Sequence, residues 1–260
     1  MEEDHALRIR PNYGLDAPGA ARGLLLAGVI LLPAGWIAAG RGVVLHPVWL
    51  NSLGVASFNI GFGCLCGAAL MFYSSYIGKF RQRDSILRRL HLRGDETILD
   101  VGCGHGLLLI AAAKQLPHGL AVGIDLWSQK DQSSNSRDAT LRNAELEGVA
   151  SRMNVRDGDM RKLPFADCSF DAAVAHFAIH NIPGHDGRRE AIREIVRVLK
   201  PGGQVALFDL KSVGLYADEL RKSGMNEVKI SSPSFWTWPP SRTVTARRPG
   251  ATTPSAEWKK

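Results

Sequence analysis

The sequence predicts a doubly wound α/β domain, built on a mostly parallel seven-stranded sheet and preceded by a hairpin of two membrane-spanning helices. Three observations lead there. Two long stretches near the N-terminus, residues 23–40 and 42–78, contain no Asp, Glu, Lys or Arg. Beyond residue 95, apolar β-rich runs alternate with helical stretches. The first of those runs ends in a glycine-rich turn that opens an apolar helix.

These uncharged stretches are hidden by an ordinary average of 45% apolar and 22% charged residues. A helix rises about 1.5 Å per residue, so crossing a hydrocarbon core of about 30 Å takes about 20 apolar residues. Residues 53–77 satisfy this fully; residues 23–40 are shorter and contain Pro33 and several glycines. The polar lead over residues 1–22 and the second apolar run argue against a cleaved signal peptide. Small residues recur in the second run, at Gly61, Gly63, Gly67, Ala68 and Ala69, as close helix contact in lipid favours. Arg8, Arg10 and Arg22 precede the first span. Lys79, Arg81, Arg83, Arg88 and Arg89 follow the second, and only Arg41 lies between them. This asymmetry places both ends of the hairpin in the cytosol, with a short external turn around His46 to Asn51.

The net charge of +7 does not imply nucleic acid, because its clusters lie at residues 79–93, against the apolar run, and around Arg247 and Arg248. Anionic headgroups suit such a placement better. Four cysteines, Cys64, Cys66, Cys103 and Cys168, form no disulfide framework in a chain of this length, which fits a reducing compartment. The expected order is a polar segment at 1–22, the hairpin at 23–78, a basic linker helix at 79–95, the α/β domain at 96–249 and a disordered tail at 250–260.

Within the domain, strands are expected at residues 97–101, 121–125, 153–157, 171–176 and 204–209, with two shorter ones at 227–231 and 243–247. After the first comes Asp100-Val-Gly102-Cys103-Gly104-His-Gly106, where glycines let the backbone turn tightly and bring helix N-terminal amides close to a ligand. A dinucleotide fingerprint requires its third glycine where this chain has Leu107, so a nicotinamide cofactor is disfavoured; a triphosphate loop is missing too. Asp125 ends the second strand, where a carboxylate caps a helix or accepts hydrogen bonds from a ribose diol. Asp159-Met160 follows the third strand and reads as a polar turn or as an adenine contact.

The glycine turn resembles the first motif of class I S-adenosylmethionine-dependent methyltransferases. The resemblance continues through Val122-Gly-Ile-Asp125, Asp157-Gly-Asp159-Met160, Phe170 to His176 and Pro201-Gly-Gly203, in the family's order over roughly 150 residues. It implies a Rossmann-like methyltransferase fold and S-adenosylmethionine as cofactor. The residues it assigns to that cofactor are Asp100, Gly102, Cys103, Gly104, Gly106, Asp125, Leu126, Asp159, Met160, Ala175 and His176. The motif set looks like the branch containing quinone-biosynthesis and arsenite methyltransferases. For arsenite, Cys103 and Cys168 are too few thiolates.

His176 and His180 are the candidate catalytic residues, as general bases near the transferred methyl; a structural role is the competing reading. No metal is expected, since His176 ends a strand and its spacing to His180 and His185 need not place them together. Relatives insert a segment after the fifth strand to cover substrate, whereas here Asp209 leads almost directly to a helix. Acceptor contacts are therefore expected from residues 76–92, the loop at 180–188 and the stretch holding Phe235, Trp236 and Trp238. Anchoring favours a small, hydrophobic or lipid-like acceptor. A non-catalytic cofactor-binding membrane module is the alternative, against which the intact Asp100, Asp125 and Asp159 argue.

Overall fold

The computed structural model describes residues 10–40, 48–128, 132 and 134–250. Arg8, Arg41, His46 and Pro47 of the external turn and nearly all of the tail expected to be disordered lie outside the described residues, whereas Trp49 and Asn51 of that turn already belong to the second helix.

Two long helices come first, α1 (Pro18–Gly40) and α2 (Val48–Tyr73), both long and apolar enough to cross a membrane. At 23 and 26 residues they extend about 34 and 39 Å. They pack against each other through glycines spaced seven apart. A Cβ at Gly35 would lie 2.3 Å from the Phe58 amide, and one at Gly61 2.4 Å from that of Leu32; Gly28 and Gly54 are equally crowded by the facing helix. Gly63 faces open space and Gly67 meets only the end of Leu24, so only Gly61 of the expected glycines brings the backbones together. Leu26, Val29, Ile30, Trp36, Ile60 and Phe62 point outward and are exposed, which suits lipid and not a soluble core.

Helix α2 ends earlier than the apolar run because residues Ser74–Gly78 widen into a π-turn. Helix α3 (Lys79–Arg88) follows without a break. It is more than a linker: Ile86, Leu87 and the following Leu90 are fully buried in the domain core.

The sheet consists of β1 (Thr97–Val101), β2 (Leu120–Asp125), β3 (Met153–Asp157), β4 (Phe170–His176), β5 (Leu199–Asp209), β6 (Asn226–Ile230) and β7 (Arg242–Arg247). Their order is β3-β2-β1-β4-β5-β7-β6, parallel except for β7. All seven expected strands are present; β5 starts five residues before the expected position because Leu199 already pairs with Phe170. Helices α4 (Leu107–Gln115) and α5 (Arg137–Leu146) join α3 on one face, and α6 (His185–Val198) and α7 (Val213–Lys222) cover the other. Near-continuous apolar strands such as β1 and β4 are what burial on both faces requires. Sequence order reverses between β1 and β4, so the connections after them diverge and open a crevice at the carboxyl edge.

The glycine packing makes a graded prediction. Gly61→Leu must separate α1 from α2 and should lower the melting temperature of the detergent-solubilised chain by several degrees, whereas Gly63→Leu should leave it within a degree. Equal effects from both would rule out the glycine-mediated contact.

Candidate active site

A cavity of about 480 Å³ occupies this crevice, within the range of roughly 300–1,000 Å³ that small-molecule sites span. Its first wall is the turn after β1. Gly102 and Cys103 donate their amides to the Ile124 carbonyl at 2.8 and 3.2 Å, which ties the turn to β2. Gly102 has φ +74°, and a Cβ there would stand 2.4 Å from that of Ala178. Gly106, at φ +82°, caps α4 from the left-handed region.

Asp125 closes the turn from the next strand. Its Oδ2 accepts from the Gly104 amide at 2.8 Å and its Oδ1 from the Trp127 amide at 2.6 Å. The carboxylate both shapes the glycine turn and lines the cavity. Asp100 differs: it is 1% exposed, lines the cavity, and neither oxygen has a hydrogen-bond partner among the described residues. Burial, then the nearby Asp125, pushes its carboxyl up to about 8. Burial also raises the Cys103 thiol well above the ordinary range, so Cys103 is a poor nucleophile.

Asp159, Met160 and Leu126 line the cavity. Asp159 is already engaged by Arg161, through its amide at 2.8 Å and its guanidinium at 2.5 Å, and Arg161 holds its carboxyl below the usual range. A ligand at Asp159 must share that carboxylate with Arg161. Gly106 and Ala175 do not line the cavity; Ala175 is 1% exposed within the β4–β5 core.

His176 and His180 both line the cavity but differ chemically. His176 stacks on Phe208 with 5.3 Å between centroids, and its buried Nε2 has no partner. Burial, then the charge of Lys79, lowers its imidazole to about 3. It is therefore neutral at any physiological pH. His180 lies in the short 3₁₀ turn Ile179–Asn181, with Nδ1 2.6 Å from Oδ1 of Asp209 at the end of β5. Asp209 is 2% exposed and is fixed at Oδ2 by the His180 amide and the Tyr216 hydroxyl, both at 3.0 Å, and at Oδ1 by the Leu210 amide at 2.8 Å. The ring thus lies close against the carboxylate, but Nδ1 makes no aligned hydrogen bond among the described residues, so the contact alone does not fix the tautomer. His185 starts α6 outside the cavity, and no metal-ligand cluster of three or more His, Cys, Asp or Glu occurs among the described residues.

Several parts were not anticipated. Residues 12–16 form a strap across the cofactor side of the domain: Tyr13 is buried and donates its hydroxyl to Glu147 at 2.9 Å, while Asn143 donates to the Asn12 carbonyl at 2.8 Å and Gln132 to that of Tyr13 at 3.0 Å. The buried Lys79 ammonium donates to the Tyr13 and Gly14 carbonyls at 2.8 and 2.6 Å and lies 3.5 Å from Asp16. Asp209 was read only as a strand end; its position matches that of Asp100 and Asp125, which was the available signal. Of the aromatic stretch, Trp238 lines the cavity, Trp236 stacks beneath Arg81, and Phe235 is 75% exposed outside it.

Comparisons with known proteins agree with this geometry. A family model described as a methyltransferase domain matches residues 99–207. Demethylmenaquinone methyltransferase of Lactobacillus johnsonii is 34% identical over 128 residues, 49% of this chain and 49% of the relative. The 27-O-demethylrifamycin SV methyltransferase of Amycolatopsis mediterranei is 32% identical over 160 residues, 58% of this chain and 54% of the relative. The chain thus spans about half the length of these curated relatives. Among solved structures, the cyclase SpnF superposes with a TM-score of 0.55 at 22% identity, over 66% of this chain and 81% of that one. An S-adenosylmethionine-dependent methyltransferase from Aquifex aeolicus does so with 0.52 at 20% identity, over 64% and 88%. Residues 99–207 thus match a methyltransferase domain in sequence, and the solved structures share its fold.

The unpartnered Asp100 provides a pH test. Below about pH 8 it is mostly protonated, and a cationic ligand must drive its ionisation. S-adenosylmethionine affinity, measured by calorimetry, should therefore rise between pH 6 and 7.5, by up to about tenfold per unit. Asp100→Asn should bind more weakly and lose this slope; a mutant that keeps it would show that another group titrates.

Proposed function

We propose that the whole chain is a membrane-anchored S-adenosylmethionine-dependent methyltransferase acting on a small, hydrophobic or lipid-like acceptor through a hydroxyl group. The observation that carries this reading is that His180, its ring against the buried Asp209, lines the same cavity as the unpartnered Asp100. When bound, S-adenosylmethionine supplies an electrophilic methyl group on a sulfonium centre.

Everything else falls to the protein. Asp100 offers a desolvated anion to the positively charged methionine portion, which fits its missing partner. Asp125 stands where a ribose diol can add to its two backbone donors. Leu126 and Met160 offer apolar surface to the adenine, with Asp159 at its edge. His180, its ring against Asp209, is placed to take the acceptor proton, and the buried carboxylate favours the imidazolium that forms; with the cofactor bound, the acceptor oxygen would attack the methyl carbon in line with its bond to sulfur, which would leave as a neutral thioether. His176, neutral and weakly basic, serves as a ring wall and is the poorer base of the two.

Supporting a lipid-like acceptor are the two apolar helices and the relatives' names, which specify demethylmenaquinone and 27-O-demethylrifamycin SV. We read α1 and α2 as spans, with the domain and both hairpin ends in the cytosol, because arginines and lysines gather on that side. A cofactor-binding module without turnover is the alternative. It is disfavoured because such a module has no use for a histidine held against a buried carboxylate.

Kinetics separate these readings. His180→Ala should lower kcat by about 10²–10⁴-fold with cofactor affinity within twofold, Asp209→Asn should lose less, and His176→Phe less than tenfold. If His180→Ala turns over normally, the base assignment fails. Orientation is tested separately through the native, exposed Cys168: an impermeant maleimide should label it in inside-out vesicles and leave it unlabelled in sealed right-side-out ones.

A further inference from the structure

The cavity does not end at the domain. Ala17, immediately before α1, and Met71, Ser74 and Ser75, at the end of α2 and in the π-turn, line the same space as Asp100, Gly104 and His180, with the paired Asp16 and Lys79 beside them. Trp238 and Pro239 line it from the β6–β7 connection. That connection is held against the base of the hairpin: a Cβ at Gly78 would lie 1.6 Å from the Trp236 carbonyl oxygen, and Ser234 donates to Gln82 at 2.6 Å. The π-turn widens the helix where it leaves the apolar span, and Ser74 and Ser75 are turned inward there, nearly fully buried. Local widening of this kind often marks a functional site. Ser75 Oγ accepts from the Asp16 amide at 3.2 Å, so this part of the wall has its polar need met from within.

From this continuity we infer that the base of the hairpin is the chain-binding subsite for the acceptor. Met71, Ser74 and Ser75 on one side, with Trp238 and Pro239 on the other, hold the first part of an alkyl or isoprenoid chain. The hydroxyl-bearing head reaches His180 and the rest of the chain stays between lipids. The physical case is the cost of extraction: each methylene drawn from an apolar environment into water shifts the equilibrium about fourfold against transfer. A head must leave the bilayer to reach the carboxyl edge of the sheet, and it does so cheaply only if an apolar wall follows the chain. Trp236 and Trp238, about half exposed, with Arg81 5.7 Å above the Trp236 ring, match the amphipathic side chains found at a membrane–water boundary. This subsite rests on the proposed methyl transfer only for the identity of the head, and is tested without turnover.

The full chain is reconstituted in phosphatidylcholine nanodiscs and illuminated with one of two probes, a long-chain alkylphenol carrying a diazirine on its chain or a phosphatidylcholine carrying the same diazirine. Labelled peptides are mapped by mass spectrometry. Both probes should mark the outward faces, at residues such as Trp36 and Ile60; only the alkylphenol should also mark residues 71–75 and Trp238. Met71→Trp and, independently, Ser75→Trp should reduce alkylphenol labelling of Trp238 at least fivefold, with cofactor affinity within twofold to show that the fold is intact. His180→Ala should label normally. Alkylphenol confined to the outward faces, phosphatidylcholine entering equally, or labelling of Trp238 unchanged in both variants overturns the subsite. Normal labelling without methylation of any hydroxyl acceptor would leave the subsite standing and sink the enzymatic reading instead.

Discussion

Everything at this site depends on how four strand-end carboxylates are satisfied. Asp100, Asp125, Asp157 and Asp209 end or nearly end β1, β2, β3 and β5, so a parallel sheet brings them to one edge without further design. Their surroundings then sort them. Asp209 accepts from three donors, the His180 and Leu210 amides and the Tyr216 hydroxyl, with the His180 ring close beside it; Asp125 holds two backbone amides; Asp157 accepts from the Trp127 indole at 2.7 Å. Of these four, Asp100 alone is buried with neither oxygen hydrogen-bonded among the described residues. A buried carboxylate without a partner is costly to fold, and such a cost is tolerated where a ligand relieves it.

The sheet was legible because parallel strands buried on both faces read as uninterrupted apolar runs, and the glycines mark where the chain must turn. Asp125 was legible for a similar reason, as an acid at the end of such a run. The boundaries that shifted, at Leu199 and at Ser74, depend on pairing and packing partners far away in sequence. What sequence did not reveal are the contacts between distant segments: Tyr13 with Glu147, Lys79 with the carbonyls of Tyr13 and Gly14, and His180 with Asp209. A lysine next to a predicted span reads as a headgroup contact by every local rule, and only the fold shows that Lys79 is turned inward.

Likewise, the hairpin separates what periodicity can see from what it cannot. Apolar composition marks two helices, but which glycines meet the facing backbone depends on their relative rotation. Gly28 and Gly35 on α1 meet Gly54 and Gly61 on α2 as two matched pairs of heptad spacing, while neighbouring Gly63 faces away. The helices therefore pack by backbone approach and leave their large side chains for the surroundings.

The buried ammonium of Lys79 has a consequence for where the catalytic unit begins. Residues 12–16 precede the hairpin and Lys79 follows it, yet the two are bonded to each other, and Asn12 is bonded to Asn143 of α5. In chain order the hairpin is thus flanked on both sides by segments bonded to each other at the edge of the α/β fold. Cutting the chain at residue 79 to obtain a soluble fragment removes the Tyr13 ring from the core and strips a buried cation of its carbonyl acceptors. A short polar bridge from residue 16 to residue 74, replacing the two helices, keeps both.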